Sequence, residues 1–240
     1  MKDIRWDPEQ GKLRYVLTAD AIVNVRLGIK NDGPLLRTLI NWVPRQGGVQ
    51  AENWDGKDEY GVLDLSRHPQ LLIGIQAYSL SDNTLLVDPH ETRNHVIENV
   101  TWGEMRREVK KQPQKRMYAH AQQSLETRGD FTIELKLPDN MSHNKEGVPI
   151  ASGTVPVRLD IDDKDRARAL TRRVETVFFL DGVFVFENET GFLPVTWNWD
   201  ASNINPGIHY LTANLRGYEG NFGVATLKVY VKPKGEQTDE

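Results

Sequence analysis

In the run AIVNVRLGI (21–29), Val23, Val25, Leu27 and Ile29 alternate with Asn24, Arg26 and Gly28. Successive side chains of an extended chain point to opposite sides, so this period of two places the four apolar residues on one buried sheet face. Runs of the same kind flank it. KLRYVLTA (12–19) and LLRTLINW (35–42) are set off by Ala19-Asp20 and by Asn31-Asp32-Gly33-Pro34. LLIGIQAYSL (71–80) and TLLVD (84–88) follow, joined by Ser81-Asp82-Asn83. Short strands broken by polar turns predict an antiparallel sandwich.

The later part of the chain repeats this style. Strand-like runs fall at 130–137, 154–161, 172–180, 183–186, 193–199, 208–217 and 223–231. Asp181-Gly182, between Leu180 and Val183, predicts a two-residue hairpin, because a type I′ turn needs positive φ at both central residues. Asn205-Pro206-Gly207 and Glu219-Gly220-Asn221 mark further turns. Seven strands in about a hundred residues match the size of an immunoglobulin-like domain.

Between the two parts lies EMRREVKKQPQKRMYAHAQQSLETRGD (104–130), rich in helix formers and interrupted by Pro113. Arg106, Arg107, Lys110, Lys111, Lys115 and Arg116 face the single acid Glu108. That places +5 on a chain whose formal total is −4, which leaves −9 elsewhere. The segment reads as a partly helical connector whose basic cluster is a candidate partner-binding surface. The mild total charge argues against wholesale nucleic-acid binding. With no cysteine, disulfides, thiolate metal sites and thiol nucleophiles are excluded. No apolar run reaches the roughly 18 residues that cross a bilayer, and no signal peptide is visible at the start.

The stretch ENWDGKDEYG (52–61) holds the densest cluster of chemistry-bearing residues. Together with DAIVNVRLGIKNDGPLLRTLINW it resembles the immunoglobulin-like domain of the flagellar hook-cap family. In that family an alternating strand, a turn and an R-T-L strand precede a W-D-G-x-D-x-x-G corner. Leu36-Arg37-Thr38-Leu39 and Trp54, Asp55, Gly56, Asp58 and Gly61 match it residue by residue. The resemblance covers some seventy to ninety residues and departs in VLDLSRHPQLLIGIQAY. It implies that Trp54 covers one end of a core, that the glycines serve the turn, and that the aspartates accept turn amides. A calcium loop is the rival reading, but it needs six to eight oxygens and the corner offers three carboxylates, Asp55, Asp58 and Glu59. The later half is similar to broad bacterial immunoglobulin-like modules, with Gly207, His209 and Leu211 in a G-x-H-x-L strand.

Other constellations carry less. In HETRNH (90–95) the histidines are five apart, whereas the zinc-protease helix needs four. DIDDKD (160–165) supplies Asp160, Asp162, Asp163 and Asp165 as candidate metal ligands, but Lys164 interrupts the EF-hand pattern and a solvated loop is expected. No phosphate-binding, dinucleotide or nucleophile-elbow motif is present.

The sequence therefore predicts an all-β protein of two immunoglobulin-like sandwiches, at 1–102 and 130–233, with the connector at 103–129 and a polar tail at 234–240. No catalytic residue and no cofactor is expected. The expected role is a non-catalytic interaction or assembly protein whose partners are proteins, a membrane-bound complex or an anionic membrane surface. The expected location is extracytoplasmic after removal of a leader, with the cytoplasm as the other option. A carbohydrate-binding module is the alternative, with Trp6, Trp42, Trp102, Trp197 and Trp199 as stacking faces.

Overall fold

A computed structural model describes residues 1–80, 129–171, 173–218 and 220–233. The first half contains β1 (Lys2–Asp7), β2 (Lys12–Leu17), β3 (Ala21–Ile29), β4 (Leu35–Arg45), β5 (Gly48–Asn53) and β6 (Leu71–Ser79). They form two three-stranded antiparallel sheets, ordered β1-β2-β5 and β4-β3-β6. The second half contains β7 (Ile133–Lys136), β8 (Ile150–Ala151), β9 (Thr154–Ile161), α1 (Asp163–Thr171), β10 (Val174–Leu180), β11 (Val183–Asn188), β12 (Val195–Asp200), β13 (Gly207–Gly217) and β14 (Phe222–Val231). Its sheets are β12-β9-β7 and β11-β10-β13-β14-β8.

Setting aside the two-residue β8, which pairs in parallel with β14, the two halves share one connectivity. First, second and fifth strands make one sheet; fourth, third and sixth make the other, to which the second half adds a seventh, β14. This is the strand order of an immunoglobulin-like sandwich, and the chain is all-β with that architecture. Leu13, Tyr15, Val23, Val25, Leu27, Leu36, Trp54 and Leu65 anchor one core. Ile133, Val157, Leu159, Phe178, Trp199, Leu211 and Leu215 anchor the other. In both, alternating apolar residues of facing sheets interdigitate, which is how a sandwich excludes water.

Expectation and structure agree on most strands. The predicted hairpin is present, with φ of +50° at Asp181 and +80° at Gly182. The run 84–88 and the histidines of 90–95 lie outside the described residues. Burial on β3 goes beyond the predicted single face: Asn24 and Gly28 are buried as well. Asn24 donates to Asn41 Oδ1 at 3.2 Å, and Gly28 and Arg26 lie beneath the second half.

One expectation is corrected. Residues 160–165 are not a solvated loop: Asp160 lies in β9, which ends at Ile161, and Asp163 begins α1. Asp162 Oδ1 accepts the Lys164 N–H at 3.0 Å, the contact of a helix N-cap. Asp163 and Asp165 in the first turn favour the positive end of the helix dipole. Among the described residues no helix is long and apolar enough to cross a membrane.

Candidate functional site

The stretch ENWDGKDEYG folds as the corner after β5. Trp54 is buried; its Nε1 donates to Lys57 O at 2.8 Å, and its ring lies 4.4 Å from that of Trp6. Trp6 Nε1 in turn donates to Ser66 O at 2.8 Å. Asp55 Oδ1 accepts from Lys57 N at 3.0 Å and from Arg37 Nη1 at 2.6 Å. The R-T-L strand and the W-D-G corner are thus joined by an ion pair. Slight burial opposes the Asp55 charge, yet the Lys57 amide and Arg37 hold its carboxyl below the usual range.

Asp58 is 1% exposed, and its Oδ1 accepts the Leu63 N–H at 2.8 Å. Its Oδ2 is buried without a partner among the described residues. Burial raises the Glu59 carboxyl above its ordinary value, despite Arg37 and the Thr38 backbone. Gly56 has φ of +78°, and an added Cβ would come within 2.6 Å of Ser66 Cβ, so the corner closes only with glycine there. Gly61 also has positive φ, +72°. Asp55 and Asp58 are engaged by turn groups.

The four aspartates of 160–165 diverge. Asp160 pairs with Lys136 and Arg158, Asp162 with Lys164, and Asp163 with Arg166. Asp165, buried, takes Arg168 Nη2 at 2.6 Å and the Thr132 N–H at 2.8 Å. Four carboxylates with their own cations do not converge on a metal. Among the described residues no group of three His, Asp or Glu could hold one. Arg106, Arg107, Lys110, Lys111, Lys115 and Arg116 lie outside the described residues.

His209, on β13, faces Asp181 Oδ2 through Nδ1 at 2.6 Å and Asn205 O through Nε2 at 2.7 Å. Both partners accept, so only the imidazolium satisfies both. Burial opposes its charge, but the hydrogen bonds and the Asp181 carboxylate outweigh that and raise the His209 pKa. With both nitrogens occupied, this His-Asp pair has no open nitrogen to activate a nucleophile.

A second, half-buried network ties β2, β4 and β5. Arg45 grips Glu52 through Nε at 2.7 Å and Nη2 at 3.0 Å, and Tyr15 Oη donates to Glu52 at 3.0 Å. Burial and the Glu52 carboxylate push the Tyr15 phenol up, while Arg45 and Tyr15 hold Glu52 below its ordinary value against burial.

Sequence reasoning missed the junction of the two halves. Arg26 Nη2 donates to Asp130 Oδ1 at 2.9 Å and to Gly220 O at 2.8 Å. Its guanidinium also stacks on Phe222 at 4.3 Å. Asp130 Oδ2 accepts from Thr38 Oγ1 at 2.6 Å, and Oδ1 accepts the Phe222 N–H at 3.0 Å. Asn214 pairs reciprocally with the Leu35 backbone, accepting its N–H at 2.7 Å and donating to its C=O at 2.8 Å. Tyr60 Oη donates to Ile133 O at 2.6 Å. Beside these ties lies an open cleft of about 230 Å³, lined by residues that include Ile29, Leu35, Leu72, Phe179 and Asn214. The signals were Arg26 inside an apolar strand and Asp130 at the edge of the second half, but only proximity in space links them.

No protein-family model and no curated protein matches the sequence. Solved structures do. Fibronectin(III)-like modules of Clostridium thermocellum CbhA align at 14% identity over 42% of this chain and 95% of theirs, with a TM-score of 0.29. The endo-β-1,4-mannanase of Thermotoga petrophila aligns at 19% identity over 50% of this chain but 23% of its own length, with a TM-score of 0.33. The CARDB domain of PF1109 from Pyrococcus furiosus, solved in complex with di-metal ions, aligns at 17% identity over 43% of this chain and 88% of that one, with a TM-score of 0.29.

Proposed function

We propose that this chain is a non-catalytic assembly module, a peripheral extracytoplasmic subunit or scaffold of a larger bacterial envelope or membrane complex. The observation that carries the reading is the junction. Arg26, Asp130, Thr38, Asn214 and Tyr60 are spent on fixing one sandwich against the other. The charged residues of the corner and of α1 are likewise internal ties, so the described residues offer shaped surface rather than reactive groups. The hook-cap resemblance of residues 52–61 favours the same role. In this proposal the basic cluster at 106–116 attaches the module to an anionic protein face or lipid surface, each cation near it contributing on the order of 1 kcal/mol.

The described tryptophans do not favour the carbohydrate alternative. Trp199 is buried, Trp6 lies on Trp54, and Trp197 packs against Phe178 and Phe186 at 5.3 and 5.7 Å. Stacking on a sugar needs a free ring face. Trp42 stacks on Tyr78 at 5.1 Å.

The test is capture of the tagged chain from native membranes at low and high salt, beside the variant Arg106→Gln, Arg107→Gln, Lys110→Gln, Lys111→Gln. The proposal expects a defined co-purifying complex that the variant loses while both sandwiches stay folded. Equal capture by variant and wild type at both salt concentrations, or specific binding on a glycan array with no protein captured, would refute it.

A further inference from the structure

The edge strand β11 bears an apolar surface that the fold does not use. Val183, Phe184 and Val185 are 66%, 50% and 39% exposed, and Phe192 in the following loop is 72% exposed. β11 pairs with β10 on one side, and among the described residues no strand lies on the other. Its outer row of N–H and C=O groups is therefore open to hydrogen bonding. Phe184 stands edge-on to Phe179 at 6.5 Å, and Phe179 lines the cleft between the sandwiches. Apolar surface thus runs from the cleft onto the strand edge. At the far end of β11 the character changes: Glu187 and Glu189 are exposed, and neither forms an ion pair among the described residues.

We propose that the outer edge of β11 docks an extended, basic segment of a partner protein, resting on the reading of this chain as an assembly module. The segment adds as an antiparallel strand, with apolar side chains against Val183, Phe184 and Val185 and a Lys or Arg beside Glu187 and Glu189. Strand addition draws affinity from main-chain hydrogen bonds and specificity from alternate side chains.

Charge decides the occupant. A second copy paired about a two-fold axis would run antiparallel, setting the apolar half of one β11 against the acidic half of the other. That arrangement desolvates carboxylates with no cation to meet them. A partner with cations at its N-terminal end removes the charge conflict.

The experiment uses the full chain and a fluorescent peptide, Lys-Lys-Val-Thr-Val-Thr-Val, read by polarisation and by amide NMR shifts. Binding should shift the amides of β11 and weaken with salt. The variant Val183→Lys, Phe184→Lys, which alters exposed side chains, should abolish it while leaving the thermal melt unchanged. Glu187→Gln with Glu189→Gln should weaken it about three- to tenfold, the scale of two exposed ion pairs. Replacing the peptide's lysines by glutamates, or its threonines by prolines, should remove binding. The inference is overturned if the peptide fails to bind, if the glutamate or proline peptide binds equally, or if either variant binds as wild type does. It is also overturned if the chain self-associates through β11, shown by sedimentation that Val183→Lys, Phe184→Lys returns to monomer. Loss of the peptide interaction with membrane capture intact sinks this site alone and leaves the assembly role standing.

Discussion

Removing the Asp130 side chain should loosen the whole molecule. In Asp130→Ala, Thr38 and the Phe222 amide each lose an acceptor, and Arg26 keeps only Gly220 O and the Phe222 ring. The decisive term is Arg26. Its side chain is 12% exposed beside an Asp130 that is 19% exposed, so water does little to replace the lost carboxylate. Burial already lowers the Arg26 pKa, with Asp130 opposing that shift. Breaking a buried pair from one side costs about 3–5 kcal/mol, because an uncompensated charge stays behind. Two neutral hydrogen bonds would account for about 1 kcal/mol each, and exposure of the pair's edge trims the total. A loss of about 3–4 kcal/mol is expected.

Urea denaturation followed by tryptophan fluorescence reads this well, since Trp54 is buried in the first half and Trp199 in the second. Asp130→Asn, which keeps one acceptor, should lose about half as much. The double variant Arg26→Met, Asp130→Leu should recover about half of the loss, because an apolar pair removes the desolvation cost on both sides while Thr38 and the Phe222 amide stay without their acceptor. In Asp130→Ala the two fluorescence transitions should also separate, as the tie between the cores is cut. Asp130→Ala within about 1 kcal/mol of wild type, or a double variant no better than the sum of its parts, would refute the argument.

The remaining expectations concern other parts of the fold. The His209 pKa is raised in the folded state, so its stabilisation is complete below about pH 6.5 and is lost as pH rises through the folded value. The melting temperature of wild type relative to His209→Gln should therefore fall over that interval, and a pH-independent difference would show that protonation is not involved. Asp58→Ala, which leaves the part-buried Leu63 N–H without its acceptor, should cost about 2 kcal/mol in urea melts, and Asp58→Asn less than half of that. Leu159→Ala, at a site with no exposure in the second core, should cost about 3 kcal/mol by the same measurement. Asp55→Asn, at a side chain 58% exposed, should cost about 0.5–1 kcal/mol.

Strands with a core face were legible because burial imposes the two-residue period; β3, β9 and β13 follow from it directly. Strands without that face were not. β1, KDIRWD, is exposed over its first four residues, and β5, GVQAEN, has no buried residue. Their pairing comes from neighbours, β2 in both cases, and a neighbour leaves no mark on the run itself. Helix α1 escaped for a related reason. DKDRARALT buries only Asp165 and Ala169, which is too narrow a stripe to read as amphipathic. Asp162 was the available signal, as an aspartate ahead of a run of good helix formers.

The junction lies beyond this kind of reading altogether. Arg26 occupies a polar position of an alternating strand, which by period alone means solvent. It meets Asp130 because β3 is the middle strand of its sheet, so its second face can be covered by another body. Asp130 lies 104 positions away and immediately before the first strand of the second half. The same covering explains Asn214, a polar residue of β13 that pairs with the backbone of Leu35 at 2.7 and 2.8 Å. A polar residue at the centre of a sheet is thus ambiguous in sequence: it faces water or it faces a second domain. The two cases differ in chemistry. Solvent tolerates substitution at either residue singly, whereas a junction penalises single replacements and forgives matched ones. The double variant at Arg26 and Asp130 measures that difference. Asn214→Leu beside Asn214→Ala would repeat it at a neutral pair, where the stranded groups are the Leu35 N–H and C=O.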